Sequence, residues 1–156
     1  IPERESRVFH EIVGDPTVMA HWHPGADPDV AATRDRILAI QRHWREHGFG
    51  DWGVEENASG YLIGFSGLHY IDGMREVNLG YAFRRDAWRR GFGTEVCRKV
   101  LDVGLNTLGL GEIVAVISPA NIASMRLAEK VGMAYWKKTT WSGLPRIVYR
   151  IAQLSI

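Results

Sequence analysis

Cysteine is nearly absent from this chain: Cys97 is the only one among 156 residues. An intramolecular disulfide is therefore excluded, and the composition fits a reducing compartment, the cytoplasm. No apolar run approaches the ~20 residues a membrane helix needs, and the opening residues are mixed and charged rather than signal-like. Neither sign of charge dominates. With 19 Lys and Arg against 18 Asp and Glu the net charge is +1, which gives no basis for bulk nucleic-acid or membrane-surface binding. The tripeptide Gly-Lys-Ser/Thr occurs nowhere, which removes the P-loop. His43 and His47 have the i, i+4 spacing of a zinc helix, but Trp44 follows His43 where that motif needs glutamate, and no third ligand is evident. No metal site is read. Repeats, linkers and low-complexity stretches are missing as well. What is left is an ordinary globular composition, 46% hydrophobic and 24% charged, long enough for one domain spanning 1–156 and short for two.

Against these absences one stretch is dense with information. Trp88-Arg89-Arg90-Gly91-Phe92-Gly93-Thr94-Glu95 lies between an alternating, strand-like run from Val77 to Phe83 and an amphipathic run from Val96 to Leu108. It predicts a strand-to-helix turn with two glycines and two arginines at the helix entrance. Glycine lets a ligand approach the backbone without a Cβ in the way. The first helical turn offers free N–H groups and the positive end of the helix dipole. Together they make a phosphate cradle, to which Arg89 and Arg90 add charge-assisted contacts. The local charge agrees: residues 84–99 hold six basic residues against two acidic ones. A dinucleotide fingerprint would need a third glycine where Val96 stands. The ligand implied is a phosphate-bearing cofactor of another kind.

The rest of the chain supplies a scaffold. Residues 1–22 carry a loose apolar pattern that predicts a short helix ending near Gly14, after which Asp15-Pro16-Thr17 starts a turn or a second short helix. Asp29 to His47 reads as a helix closed by Gly48. Asp51–Glu55 and Tyr61–Tyr70 predict a hairpin, followed by a strand from Glu76 to Phe83. A helix from Thr94 to Leu108 comes next, with Cys97 on its inward side. Ile113–Ile117 is β-branched and wholly apolar, the pattern of a buried strand. Ser118-Pro119 is expected to start a helix running through Val131, with Gly132 after it. Tyr135–Trp141 and Arg146–Ala152 predict a last hairpin. The order is two helices, three strands, helix, strand, helix, two strands. It predicts an α/β chain of mixed α+β character, a central mixed sheet with helices on both faces.

The x-x-x-Gly-x-Gly turn resembles the pyrophosphate-binding signature of the GNAT N-acetyltransferase superfamily. The run Ser118-Pro119-Ala120-Asn121-Ile122-Ala123-Ser124 through Gly132-Met133 is similar to the Asn-x-x-Ala/Ser … Gly-Phe helix of the same superfamily. The branch most resembled is the Rim type, which acetylates ribosomal-protein N-termini. Asp15-Pro16-Thr17-Val18-Met19, His47-Gly48-Phe49-Gly50, Ile63-Gly64-Phe65-Ser66-Gly67-Leu68 and Asn78-Leu79-Gly80-Tyr81 match that branch in order. The resemblance implies the GNAT acyl-CoA N-acyltransferase fold, with a central mixed, mostly antiparallel sheet. It also implies transfer of acetyl from acetyl-CoA to a primary amine, either a protein N-terminal α-amine or a small-molecule amine, by direct attack. Members of the family often form homodimers, a state left open for this chain.

Departures from the family pattern bear on chemistry. Many members place a tyrosine seven residues after the motif asparagine, as the acid for the departing thiolate; here that residue is Ala128. The residue before Leu-Gly-Tyr is often glutamate in this branch, and here it is Asn78. The family's apolar first strand has no clear counterpart in residues 1–14, and is expected to be lost from the chain or never to have belonged to it. The remaining candidates for catalysis are Ser124, one turn after Asn121 and able to give the thiolate a proton, and Glu76, a base acting through water. Cofactor binding is assigned to Phe83, Arg89, Arg90, Gly91, Phe92, Gly93, Thr94 and Asn121, although Asn121 also has the place of a helix cap. Trp22, Trp44 and His69 are candidates for lining the acceptor, and His69 is also readable as a base or as a structural histidine. A free α-amine has a pKa of about 7.7–8.0 against about 10.4 for lysine, so a site poor in bases suits the α-amine. Loss of both acid and base keeps a different class in play, a catalytically weak acyl-CoA-binding sensor.

Overall fold

Helix formation in the first third of the chain is set at its ends. Asp29 is extended, and its side chain accepts from the Ala32 N–H at 2.8 Å, capping helix α2, Val30–His47. The Gly48 N–H closes the other end on the Trp44 carbonyl at 2.9 Å. Before it, helix α1, Ser6–Val13, follows a single 3-10 turn at Glu3–Glu5. The computed structural model describes residues 1–153. Three strands come next: β1 (Asp51–Glu55), β2 (Leu62–Tyr70) and β3 (Val77–Phe83). Helix α3 (Phe92–Asp102), strand β4 (Glu112–Ile117), helix α4 (Ile122–Lys130) and the hairpin β5 (Ala134–Trp141) and β6 (Leu144–Ala152) complete the order.

The sheet runs β1-β2-β3-β4-β6-β5. Pairing is antiparallel for β1/β2, β4/β6 and β5/β6 and parallel for β3/β4. It is thus mixed and mostly antiparallel, as the sequence implies. No helix among the described residues is long and apolar enough to cross a membrane.

Two compact units divide the chain: residues 1–67 with 81–92, and residues 68–80 with the described chain from 93 onward. The first has a core of Phe9, Ile12 and Val13 from α1, Met19 from the turns after it, Ile37 and Ile40 from α2, Leu62 and Phe65 from β2, and Ala82 from β3. Ile37 and Ile40 follow the fully buried Thr33 on one helical stripe. Phe65 is the hub: the Phe9 ring meets it edge-on and the Trp22 ring lies tilted beside it, each 5.5 Å between centroids. Gly64 sits where a Cβ would collide with the Ala82 carbonyl and the Phe83 ring, so β2 approaches the end of β3 only because no side chain intervenes. The second unit buries Cys97, Val100 and Leu101 of α3 and Ile113, Val114, Ala115 and Ile117 of β4. Ala128, Met133, Val148 and Tyr149 are buried in it too. Cys97 is fully inaccessible, a packing residue as its helical position suggests.

Four boundaries differ clearly from the sequence expectation. Helix α4 starts at Ile122 rather than Ser118, because the Asn121 N–H closes a turn on the Ser118 carbonyl at 2.9 Å and Asn121 itself becomes the cap. Helix α3 starts at Phe92, so Gly93 and Thr94 lie inside its first turn. Its far end is not one continuous α-helix: after Asp102 the backbone widens into a π-helical turn, Val103–Thr107. The last hairpin is tighter than expected, with Trp141 paired to Leu144 across Ser142-Gly143.

Candidate functional site

The turn that carries the glycines is built from the end of β3. The Arg84 N–H donates to the Ile63 carbonyl at 2.8 Å, a 3-10 turn follows at Arg85–Ala87, and the Trp88 indole N–H reaches back to the Phe83 carbonyl at 2.9 Å. That last bond staples the base of the loop. Beyond it two residues take positive φ, Arg89 at 60° and Gly91 at 83°. For Gly91 this costs nothing, and the space around its missing Cβ is open. For Arg89 the left-handed conformation costs about 1–2 kcal/mol. Strain of this kind persists where the surroundings impose it, commonly at ligand sites. Helix α3 then opens at Phe92, presenting its unpaired first-turn amides and dipole end beside Gly91. Gly91 is thus the glycine that shapes the turn, whereas Gly93 has helical backbone.

The arginines around the turn are already spoken for, apart from one. Arg84 Nη1 lies 2.6 Å from Glu11 Oε2, Arg85 Nε 2.8 Å from Asp15 Oδ2, and Arg90 Nη2 2.9 Å from Glu56 Oε1. Arg90 also lies over the Phe92 ring at 4.8 Å. Among the described residues, Arg89 is the arginine of this turn with no carboxylate partner. A count of charges along the sequence therefore overstates the field offered to an anion. The acids that neutralise it come from α1, the turn after it, and the β1–β2 loop.

Trp22 and Trp44, the expected acceptor-lining residues of the first unit, are half-buried against its core. Trp44 donates its indole N–H to the Asp51 carbonyl at 2.9 Å and meets Trp52 edge-on at 5.2 Å. Both have plain structural work.

In the second unit Asn121 and Ser124 are joined. Asn121 Oδ1 accepts from the Ser124 N–H at 3.2 Å, and Asn121 Nδ2 donates to Ser124 Oγ at 3.0 Å. The first bond is an N-cap; the second leaves the serine oxygen as an acceptor and its own hydrogen directed elsewhere. Ala128 is 4% exposed, packed into the unit where the family resemblance would place a tyrosine. The phenol that does meet α4 comes from β6: the Tyr149 hydroxyl donates to Glu129 Oε1 at 2.9 Å. Burial, then that bond, pushes the Tyr149 phenol above its ordinary value, so it is a poor proton donor. Glu76 stands just ahead of β3, half-buried. His69 on β2 faces Asn78 on β3, with His69 Nε2 and Asn78 Nδ2 separated by 3.4 Å. The sequence places Asn78 in a family-like segment, as a departure from glutamate, but gives it no role of its own. The available signal was a lone amide among Val77, Leu79 and Ala82, where a polar side chain needs a partner. No group of three or more His, Cys, Asp or Glu among the described residues is placed to hold a metal.

Comparison with known proteins adds to this geometry. The family model described as Acetyltransferase (GNAT) domain matches residues 2–134. YkkB of Bacillus subtilis (strain 168) is 32% identical over 93% of this chain and 84% of its own length. Among solved structures, ribosomal-protein-S5-alanine acetyltransferase from Vibrio fischeri superposes with a TM-score of 0.80 at 13% identity, covering 98% of this chain and 90% of that one. The aminoglycoside acetyltransferase AAC(6')-Ib in complex with coenzyme A superposes with a TM-score of 0.81 at 17% identity, covering 97% and 91%. At such identities the two superpositions speak to fold alone.

Proposed function

Since the chain belongs to the GNAT acetyltransferase family, we propose that it transfers acetyl from acetyl-CoA to the amine of an acceptor with a free α-amino group or a comparably weak base. The observation that carries this reading is the helix entrance. Gly91, at φ 83° and with open space over its Cα, hands the chain to an 11-residue helix whose first amides are unpaired within the helix. A pyrophosphate fits such an entrance, taking hydrogen bonds from the backbone of residues 91–94 and charge from Arg89. Arg90 contributes less, since it already has a carboxylate. Phe83, Phe92 and Asn121 complete the proposed cofactor contacts.

In the proposed reaction the neutral amine nitrogen attacks the thioester carbonyl carbon. The N–C bond forms, the C–S bond breaks, the nitrogen loses a proton and the departing thiolate gains one. A backbone N–H near Tyr81–Phe83 is the proposed donor to the developing oxyanion. Ser124 is the proposed proton source for the thiolate, directly or through water, and Glu76 the proposed base through water. Trp22, Trp44 and His69 are proposed to line the acceptor side. The base-poor setting favours an α-amine over lysine, because near neutral pH a group of pKa about 7.7–8.0 is neutral several hundred-fold more often than one of about 10.4.

Ala128 and Asn78 support one rival reading, an acyl-CoA sensor with little turnover. Thiol release from acetyl-CoA in the presence of an alanine-terminated peptide and of an aminoglycoside separates the possibilities. Release with the peptide supports the α-amine reading, release with the aminoglycoside alone replaces it, and tight acetyl-CoA binding with no release supports the sensor.

A further inference from the structure

Asn78 is 6% exposed in a strand whose other buried residues are apolar or glycine. Around it β3 and β4 pair in parallel, at Val77↔Ile113 and Asn78↔Val114. Beyond that point the next bond from β4 does not go to backbone: the Val116 N–H donates to Asn78 Oδ1 at 2.9 Å. The side chain has taken an amide the ladder would otherwise use. It also fixes which way the amide faces. A backbone N–H can only donate, so the carbamoyl oxygen must face Val116 and the NH2 must face away. On that side lies His69 Nε2, at 3.4 Å. An NH2 group has only hydrogens to offer, so Nε2 meets it with its lone pair, and the proton of the neutral ring sits on Nδ1. Turning the amide over would set its NH2 against the Val116 N–H, donor to donor, in a buried place.

We propose that Asn78 is a positioning residue for acetyl transfer. Through one amide it ends the β3–β4 ladder and holds His69 as the Nδ1–H tautomer, with Nε2 committed as an acceptor. This rests on the acetyltransferase reading above and carries it further, to the class of acceptor. A histidine held in this way does not take the amine's proton at Nε2 unless the amide turns and the Val116 bond is lost. The incoming amine therefore sheds its proton to water and arrives neutral. Weakly basic amines, α-amines foremost, are the acceptors such a site serves.

The test uses the whole chain labelled with 15N in its histidine rings, the His69 signals being assigned by their loss in His69→Gln. The expected spectrum shows His69 Nε2 at the unprotonated shift and Nδ1 at the protonated one. In Asn78→Asp one carboxylate oxygen still accepts from Val116, but the other accepts as well, so the ring proton should move to Nε2. Wild-type signals showing Nε2–H, or a folded Asn78→Asp protein with no change of tautomer, would overturn the proposal. The wild-type spectrum decides the tautomer by itself, so a variant that fails to fold gives no shelter. In thiol release with acetyl-CoA and an alanine-terminated peptide, Asn78→Asp should lower kcat about fivefold while the KM for acetyl-CoA stays within about twofold. His69→Gln, which also alters the proposed acceptor side, should lower kcat about tenfold, and a loss of about a hundredfold or more would make His69 the base and overturn the inference. Absence of thiol release from the wild type would strike the acetyl-transfer reading, while the spectra still decide the tautomer.

Discussion

Arg36 grips Asp27 with a two-point fork: Nε lies 2.9 Å from Oδ2 and Nη2 2.8 Å from Oδ1. The fork ties the loop before α2 to the helix itself. Thr33, fully buried, donates its hydroxyl to the same Oδ2 at 3.0 Å and stands 2.8 Å from His10 Nδ1. Because the threonine hydrogen is used on Asp27, its oxygen accepts from His10, which brings α1 into the chain of bonds. Burial pushes the Asp27 carboxyl up, but Arg36, with help from Thr33 and the nearby His10, outweighs it and leaves the group below the ordinary carboxylate value.

A pH dependence follows with a definite sign. The folded state holds the Asp27 proton more weakly than the unfolded chain does, so the fork stabilises the fold above the unfolded carboxylate value and stops doing so as pH falls through the lower folded value. Asp27→Asn should cost about 2 kcal/mol at neutral pH. The difference between wild type and variant should shrink below pH about 4. Urea midpoints measured on both proteins at neutral and acid pH check this. A difference that stays constant would remove Asp27 as its source.

Gly64→Ala should destabilise the fold by about 1–3 kcal/mol, because the new methyl meets the Ala82 carbonyl, which cannot swing away as a side chain can. Thermal unfolding gives the magnitude. An alanine accepted without loss would mean that β2 and the end of β3 are not locked at this spacing.

At the helix entrance, Gly91→Val forces a β-branched residue into positive φ and should weaken acetyl-CoA binding at least tenfold, about 1.4 kcal/mol. Arg90→Ala should be milder, since Arg90 is half-exposed and already paired with Glu56. Isothermal titration on both variants, with circular dichroism to confirm folding, provides the comparison. Binding that survives Gly91→Val and collapses with Arg90→Ala would shift the cradle from backbone to side-chain charge.

Ser124 and Asn121 can be separated by what they lose. Asn121→Ala removes an N-cap and should cost about 1 kcal/mol of stability. Ser124→Ala keeps that cap and, if Ser124 supplies the thiolate's proton, lowers kcat while the KM for acetyl-CoA is little changed. An unchanged kcat would return the role to water.

The element order was legible in the sequence because its signals are local. Asp29 and Gly48 bracket α2 chemically, Ile113–Ile117 is apolar on both faces, and a turn carrying Gly91 stands between a strand and a helix whatever the rest of the chain does. Boundaries were less legible where two local signals compete: Ser118-Pro119 could open a helix, but the Asn121 cap a few residues later does so instead.

Which groups meet across the sequence was not legible at all. Arg84 meets the nearby Asp86 as well, but the shortest ion pairs of Arg84, Arg85 and Arg90 are with acids 73, 70 and 34 positions away. The partner of Asn78 on β4 lies 38 positions away. Composition and periodicity see neighbours along the chain. An ion pair or a shared amide depends on strand register and on which side chains one fold brings within 3 Å. The residues alone determined that a glycine turn rich in arginine opens a helix in this chain. Only the tertiary structure decided that Gly91 shapes that turn, that Arg89 has no carboxylate partner there among the described residues, and that the buried Asn78 amide lies between the Val116 N–H and His69.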